Sequence, residues 1–122
     1  MRNGSVYAQL GDVMETIRKQ VEGAADRATT AVAKESVQKL KNTSPKKSGD
    51  YAKGWRVKKL GAHEQIVYNA TNYQLTHLLE NGHVIRNKKG EYGRAPAHPH
   101  IKDVEQEAIA ELPRRIMEDI EI

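Results

Sequence analysis

The chain has no cysteine and no phenylalanine. Without cysteine it can form no disulfide, no thiolate nucleophile and no cysteine-ligated zinc site. Aromatic residues make up 5% of the 122 residues and apolar residues 38%, so a domain of this size can bury only a thin core. Thin cores in small domains are often completed by oligomerisation. We therefore expect one domain, residues 1–122, with a surface that is either solvated or covered by a partner.

Long apolar runs and strong charge of one sign are also missing. No apolar run approaches the ~20 residues needed to span a bilayer, and the polar start of the chain lacks the apolar region of a signal peptide. We expect an origin in the cytoplasm and no membrane partner. The formal charge is +4, which is mildly basic. Binding of nucleic acid by charge alone would need a clustered basic footprint.

The first third of the chain has a helical pattern. Apolar residues recur every three or four positions, which predicts one long helix over 5–42 with a potential break near Gly23. The alanine-rich face from Ala24 to Ala33 would allow another backbone to approach closely, although ordinary core packing is the simpler interpretation. The apolar positions are Val6, Leu10, Val13, Met14, Ile17, Val21, Ala24, Ala25, Ala28 and Val32.

The middle of the chain changes to a strand pattern. A loop at 45–50 is followed by a predicted hairpin over 51–69, with Trp55 and Val57 on one face. A short helix over 73–80 should end at Gly82 in a left-handed conformation. That helix is expected to bury four large side chains, Tyr73, Leu75, Leu78 and Leu79.

The last third begins without a clear period and ends as a helix. Residues 83–98 predict a long loop with a potential strand at 83–85, and residues 99–121 predict a helix with Pro99 at its first position. Pro113 should interrupt and kink that helix. One apolar stripe is expected along it, formed by Ile101, Val104, Ala108, Leu112, Ile116 and Ile120. The overall expectation is an α+β fold.

Four of the five histidines lie in one quarter of the chain and could be imagined, with Glu80, as a metal site. Their spacing matches no recognised metal-ligand pattern, so structural hydrogen bonds are the favoured interpretation for His77, His83, His98 and His100. No nucleophile motif and no phosphate loop is present. The sequence therefore predicts no catalytic residue, no cofactor and no metal, and the chain is expected not to be an enzyme.

A basic segment interrupts the apparent loop. Alternating cationic and aromatic side chains suit contact with nucleic acid, whereas charge alone would keep a mobile loop soluble. A third interpretation, which we rank first, is that the segment orders against a neighbouring subunit or partner. Its candidate contact residues are Arg86, Lys88, Lys89, Tyr92 and Arg94.

Three short segments occur in a fixed order at 44–55, 73–83 and 97–101. They are Ser-Pro-Lys-Lys-Ser-Gly-Asp-Tyr-Ala-Lys-Gly-Trp, Tyr-Gln-Leu-Thr-His-Leu-Leu-Glu-Asn-Gly-His and Ala-His-Pro-His-Ile. This ordered set resembles the tail-component, or tail-completion, family of long-tailed bacteriophages and prophages, over roughly residues 35 to 120. The chain departs from that family at His100, where many members have phenylalanine, at Asp103, where many have proline, and at Tyr51, where leucine is common.

The resemblance implies an α+β fold with a small antiparallel sheet and packed helices. It also implies a set of structural motif residues: Trp55 would anchor the sheet to a helix, and Glu80 would accept hydrogen bonds from the turn or from the segment around His100. The whole set is Pro45, Ser48, Gly49, Trp55, Tyr73, His77, Glu80, Gly82, His83, Pro99 and His100.

The function implied is that of a structural virion protein for tail completion or head–tail joining. Such a protein would form a hexameric ring at the head-proximal end of the tail, after assembly in the cytoplasm of the bacterial host. Its partners would be itself, the tail tube protein and the head–tail connector proteins. DNA would pass through the ring without sequence-specific contact. Alternatives are a head-side connector adaptor or stopper and, in another class, a small basic nucleic-acid-binding module.

Overall fold

The structure, a computed structural model, describes residues 6–46, 48–87 and 90–120, and the side chains of all of these except 85–87 and 91–92. The fold is α+β, as the sequence predicts. In chain order its elements are α1 (Val6–Thr43), α2 (Asp50–Lys53), β1 (Trp55–Gly61), β2 (Glu64–Asn69), α3 (Leu75–Asn81), β3 (His83–Asn87), β4 (Gly90–Ala95) and α4 (Ile101–Asp119).

Helix α1 is the longest element, and it runs through Gly23 without a break. At 1.5 Å per residue its 38 residues span about 57 Å. Helix α4 packs against its C-terminal half in the antiparallel direction, because the ion pairs between the two helices run in opposite order along them. These pairs are Arg27 with Asp119 at 2.6 Å, Glu35 with Arg115 at 2.6 Å and Lys39 with Glu107 at 2.7 Å.

The first hairpin, β1–β2, is antiparallel and lies against the same half of α1. Trp55 pairs with Asn69 and Val57 with Val67, and Gln65 donates a hydrogen bond to Thr30 in α1 at 2.9 Å. The prediction that the hairpin starts at 51 was wrong. Residues 50–53 form a helical turn instead, which Gly49 enters at a φ of +87°, a backbone angle that favours glycine.

A second hairpin, β3–β4, occupies most of the segment predicted as a loop at 83–98. His83 pairs with Ala95 and Asn87 with Gly90. The alternation of polar and apolar residues that marks a strand is absent here, because glycine and charged residues fill the pairing positions. Gly90 and Gly93, at φ of +127° and +120°, take backbone angles that other residues rarely adopt, so the hairpin depends on them.

Two expectations for the helices were also wrong in detail. Helix α3 begins at Leu75 and packs only Leu75 and Leu79 against the core, while Tyr73 and Leu78 are exposed. A helix of about two turns presents only one narrow face to the core, and Tyr73 precedes its first turn.

Helix α4 begins at Ile101, two residues after Pro99, and continues past Pro113 to Asp119. In a regular helix the N–H of residue 113 would donate to the carbonyl oxygen of Ile109, but Pro113 has no N–H. Both residues are exposed. Water can therefore satisfy the carbonyl that the proline leaves unpaired.

The core lies where α1, α2, β1 and α4 meet. Its buried members are Val37, Leu40, Tyr51, Trp55 and Val104. None of the larger side chains within the described residues is fully enclosed, so the core is as thin as the composition predicts. None of the helices in that part of the chain combines the length and the apolar character needed to cross a membrane.

Candidate functional site

The start of α4 is held by a carboxylate from α3. Glu80 accepts hydrogen bonds from the backbone N–H groups of His100 at 2.7 Å, Ile101 at 2.9 Å and Lys102 at 3.0 Å. These are the free N–H groups of a helix N-terminus, which favours negative charge. Burial raises the pKa of the Glu80 carboxyl, but the three backbone N–H groups outweigh burial, and the net pKa is lowered.

The phenol of Tyr51 and the ring of His100 form a buried pair. Tyr51 Oη lies 2.8 Å from His100 Nε2, and His100 Nδ1 lies 2.7 Å from the carbonyl oxygen of His98. A carbonyl oxygen can only accept, so Nδ1 carries the hydrogen, and in the neutral ring Nε2 accepts from the phenol. Burial, with a contribution from Glu80, raises the pKa of Tyr51 to about 12. Two of the three residues that depart from the family pattern are thus bonded to each other.

Trp55 joins the hairpin to the end of α1. Its Nε1–H donates to Ser44 Oγ at 2.8 Å, and its ring packs edge-on against Tyr51 and His100 with ring centres 5.6 and 6.3 Å apart. At the far end of β2, Asn69 donates to the Tyr51 carbonyl at 2.8 Å. A buried indole N–H and a buried amide are therefore both paired, and these contacts fix the sheet against two helices.

Three further motif residues, Pro45, Ser48 and Gly82, lie in the turns next to α2 and α3. Ser48 accepts a weak bond of 3.4 Å from the Asp50 N–H, and Pro45 is half-buried beside it. Gly82 ends α3 at a φ of +74° and a ψ of 174°, which is not the left-handed conformation we predicted. An added Cβ there would lie 2.7 Å from the Ala95 carbonyl oxygen, so the close crossing of two backbones requires glycine.

The histidines do not converge on one point. His100 is hydrogen-bonded in the core, whereas His77 and His98 are exposed. His83 is half-buried, and its Nδ1 has no hydrogen-bond partner. Within the described ranges, no group of three or more potential ligands is placed to hold a metal ion.

These contacts bring the three sequence segments together in one structural junction. A comparison with protein families gives the family of the chain. The family model for bacteriophage HK97-gp10, described as a tail component, matches residues 8–82, more than half of the 122 residues. The chain belongs to the HK97-gp10 tail-component family. It is therefore a structural component of a phage tail. No curated protein and no solved structure matched the chain.

The HK97-gp10 match starts earlier and ends earlier than the resemblance inferred from the three segments. It contains α1 from its first turn, the first hairpin and all of α3, and it ends at Gly82. The third segment at 97–101 and α4 lie beyond it. The carboxylate that holds α4 nevertheless comes from inside the matched region, at Glu80.

The N-terminal half of α1 presents an apolar face that the other described residues do not cover. We call residues 6–23 the arm, because they extend beyond the Arg27–Asp119 pair at the end of α4, and we call residues 24–120 the body. The arm is about 27 Å long at 1.5 Å per residue. Its apolar stripe is 39–88% exposed and consists of Val6, Tyr7, Leu10, Val13, Met14, Ile17 and Val21.

The stripe continues the face of α1 that is buried in the body. Ala24 and Ala28 lie on that face and are 0% and 5% exposed. Ala33 is also buried, but it lies on another side of the helix, because the five residues from Ala28 turn the helix by about 140° beyond a full turn. The sequence showed the stripe's period but not that half of it lies open, because only the position of the end of α4 along α1 decides that.

A small groove lies on the body beside the core, and we call it the body groove. It has a volume of about 250 Å³ and lies between α1, the first hairpin and α4. Leu40 and Trp55 form its floor, and the α4 side contributes Ile101, Val104 and Ala108 in successive turns. Its polar lining comes from Ser36 and Glu105. A groove of this size has room for one large side chain but not for a helix face.

The second hairpin carries the basic residues predicted as partner contacts. Arg94 in β4 is exposed, and its guanidinium lies 3.5 Å from the Asn81 carbonyl oxygen. Lys88 and Lys89, together with the side chains of Arg86 and Tyr92, lie outside the described part of the chain. Their contact role remains a proposal.

Proposed function

We propose that this member of the HK97-gp10 family completes the tail and joins it to the head, as a ring of identical subunits at the head-proximal end. Its role would be structural and not catalytic. Its partners would be other copies of itself, the tail tube protein and the head–tail connector proteins. DNA would pass through the ring without sequence-specific contact.

The observation that carries the proposal is the exposed stripe of the arm. Seven half-exposed apolar side chains present on the order of 500 Å² of apolar surface, if a full side chain presents roughly 60–120 Å². Apolar patches larger than a few hundred Å² mark interaction sites on proteins. A tail component with such a face on a projecting helix is suited to assembly with a neighbour.

We also propose that the second hairpin makes a further contact with a tail or connector subunit. The exposed guanidinium of Arg94 supports this, because cations on a rim steer association and set its salt dependence. The proposed contact residues are those predicted from the sequence: Arg86, Lys88, Lys89, Tyr92 and Arg94.

The test is complementation of a phage that lacks this gene. The variant Leu10→Glu/Met14→Glu places two charges in the stripe. Glutamate has a helix propensity close to that of leucine and methionine, so α1 should still form. We expect filled heads and complete tails that remain unjoined in electron micrographs, and a titre lower by orders of magnitude. The matched control, Thr16→Glu/Lys19→Glu, changes the opposite side of the same helix and should join normally.

Normal joining by the stripe variant would contradict the proposal. Two further measurements separate the alternatives. Recovery of tagged protein in filled heads instead of purified tails would assign it to the head side, as an adaptor or stopper. Duplex DNA binding that falls steeply with salt would favour the nucleic-acid module. For the hairpin, Lys88→Ser/Lys89→Ser/Arg94→Ser should reduce joining in the same assay, and an unchanged titre would remove that contact.

A further inference from the structure

The apolar stripe of the arm has the same pattern in both directions along the helix. Six of its seven residues form pairs whose residue numbers add up to 27, and the point of symmetry lies between Val13 and Met14. The seventh, Tyr7, has Gln20 as its counterpart. The matched pairs are Val6 with Val21, Leu10 with Ile17, and Val13 with Met14. An antiparallel contact between two copies of one helix brings such positions together, so the stripe is complementary to itself.

We infer that the arms of two copies of the chain pair side by side in antiparallel directions, with a two-fold axis level with Val13 and Met14. Each stripe then covers the other over residues 6–21, about 24 Å of helix. From Val6 the central stripe positions follow at steps of four, three, four and four residues. This is the spacing with which two helices pack along one seam. The pairing goes beyond the proposed ring and does not depend on it.

The body determines the direction of the pair. Beyond the arm the same face of α1 is covered, with Ala24 and Ala28 only 0% and 5% exposed. Two arms aligned in parallel would bring both bodies to the same end of the pair, where the cover of each α1 would occupy the place of the other helix. In the antiparallel direction the bodies lie at opposite ends. The tip of each arm then ends where the other body begins, so the length of the arm fits the overlap.

The charges beside the stripe permit contact of the arm with itself. Arg18 lies at one edge of the stripe and is bonded to both Glu15 and Glu22 of its own helix. In an antiparallel pair of identical helices each edge faces itself, and the two Arg18 positions would be about 14 Å apart along the axis. Like charges are therefore not brought together. The other edge is polar and uncharged, with Gln9, Thr16 and Gln20.

The composition of the arm favours a protein partner over a lipid surface. Helices that lie on membranes have a polar side rich in lysine and arginine, whereas residues 6–23 contain three carboxylates and two cations. Between two arms, both stripes become buried, on the order of 1,000 Å² together. This reaches the lower limit for a specific interface. The pair should consequently form and separate as the protein concentration changes.

A contact of one patch with itself joins two chains and then stops. The arms thus produce a closed pair, and a ring built from such pairs needs a further surface, for which the second hairpin is the candidate.

The absence of cysteine permits a direct test. Single-cysteine variants of the full-length protein, with different affinity tags, are incubated in a buffer that allows disulfide exchange. Leu10→Cys mixed with Ile17→Cys should form about tenfold more disulfide than either variant alone, because two copies of position 10, or of position 17, are separated by about 10 Å along the axis. Lys19→Cys, on the opposite side of the arm, is the matched control for chance collision.

The double variant Leu10→Cys/Ile17→Cys tests the closure of the contact. It should give one product, a dimer, because a two-fold contact uses both cysteines of each chain at once. A ladder of larger products would overturn the closed pair. Leu10→Cys alone linking as well as the mixture would overturn the antiparallel direction, and mixed links no stronger than those of Lys19→Cys would overturn the pairing itself.

Sedimentation of proteins without cysteine gives an independent measurement. The wild type and Thr16→Glu/Lys19→Glu should change from monomer to dimer with concentration, whereas Leu10→Glu/Met14→Glu should stay monomeric with the circular dichroism spectrum of the folded protein. A wild type that stays monomeric throughout would contradict the pairing. The joining assay tests the proposed function separately. Joining that depends on the stripe without any pairing in solution would sink the pair alone, and pairing with joining indifferent to the stripe would sink the joining role alone.

Discussion

At the scale of single residues, the junction around His100 is held by polar contacts inside a thin core. His100 and its neighbours Tyr51 and Trp55 are each no more than 5% exposed. A buried hydrogen bond contributes little net stability, but one unpaired buried partner costs about 1–3 kcal/mol. The Tyr51–His100 pair should therefore behave as a unit.

This coupling predicts the outcome of a double-mutant cycle. Tyr51→Phe leaves His100 Nε2 without its donor, and His100→Phe leaves the phenol without its acceptor, so each should lower the free energy of unfolding by about 1–3 kcal/mol. The double variant should cost less than the sum, with a coupling of about 1–2 kcal/mol. Urea unfolding of the four proteins measures it, and strict additivity would refute the coupling.

At the scale of elements, α1 is one helix with two environments. From Ala24 onward its apolar residues are covered by the first hairpin and α4, whereas the apolar residues of the arm are open. Helices of this kind draw their stability mainly from packing of the apolar face. Stability should consequently differ along a single helix.

Matched substitutions test this difference. Leu10→Gln/Met14→Gln keeps helix propensity and removes no buried contact, so dilute protein should retain its free energy of unfolding within about 0.5 kcal/mol. Val37→Ala removes two methyl groups from the core and should lower the free energy of unfolding by about 2 kcal/mol. Chemical denaturation at low protein concentration compares the two, and a large loss from the arm variant would mean that the arm is already packed.

The sequence predicted the elements with strong period and missed those without one. Helix α1 was predicted over 5–42 and spans Val6–Thr43, because its apolar residues repeat over about seven turns, from Val6 to Val32. The pair β3–β4 was missed because Gly90 and Gly93 carry positive φ angles in place of an alternating pattern. The helical turn at 50–53 was assigned to a strand, since Tyr51 and Trp55 are strand formers and only tertiary contacts decide otherwise.

One contact of the junction around His100 was predicted from the sequence, whereas the Tyr51–His100 bond and the open face of the arm were not. Glu80 was expected to accept from the segment around His100, and it does so. The mutual bond of Tyr51 and His100 joins residues 49 positions apart, a pairing that no local spacing encodes. The arm and the body groove depend on where α4 ends along α1, which is a property of the folded chain alone.

At the scale of the whole molecule, the open stripe of the arm makes stability depend on protein concentration. Anything that binds the folded chain and not the unfolded one raises the apparent stability by mass action. In the proposed assembly that ligand is another copy of the protein.

Calorimetry over about a hundredfold range of protein concentration tests this expectation. The apparent Tm of the wild type should rise by a few degrees as neighbours cover the stripe. The Tm of Leu10→Glu/Met14→Glu should stay constant, and that of Thr16→Glu/Lys19→Glu should rise as in the wild type. A wild-type Tm independent of concentration would show that isolated subunits do not pair in this range.

Because α1 continues through Gly23 without a break, a small bend at that residue moves the whole arm. Gly23 lies where the arm leaves the body, next to the fully buried Ala24. With a tip about 27 Å away, a tilt of 10° at this point would displace the end of the arm by roughly 5 Å. In a closed ring the angle at which each arm meets its neighbour determines the diameter. The bending stiffness of one helix near one glycine would therefore control how wide a channel the subunits enclose.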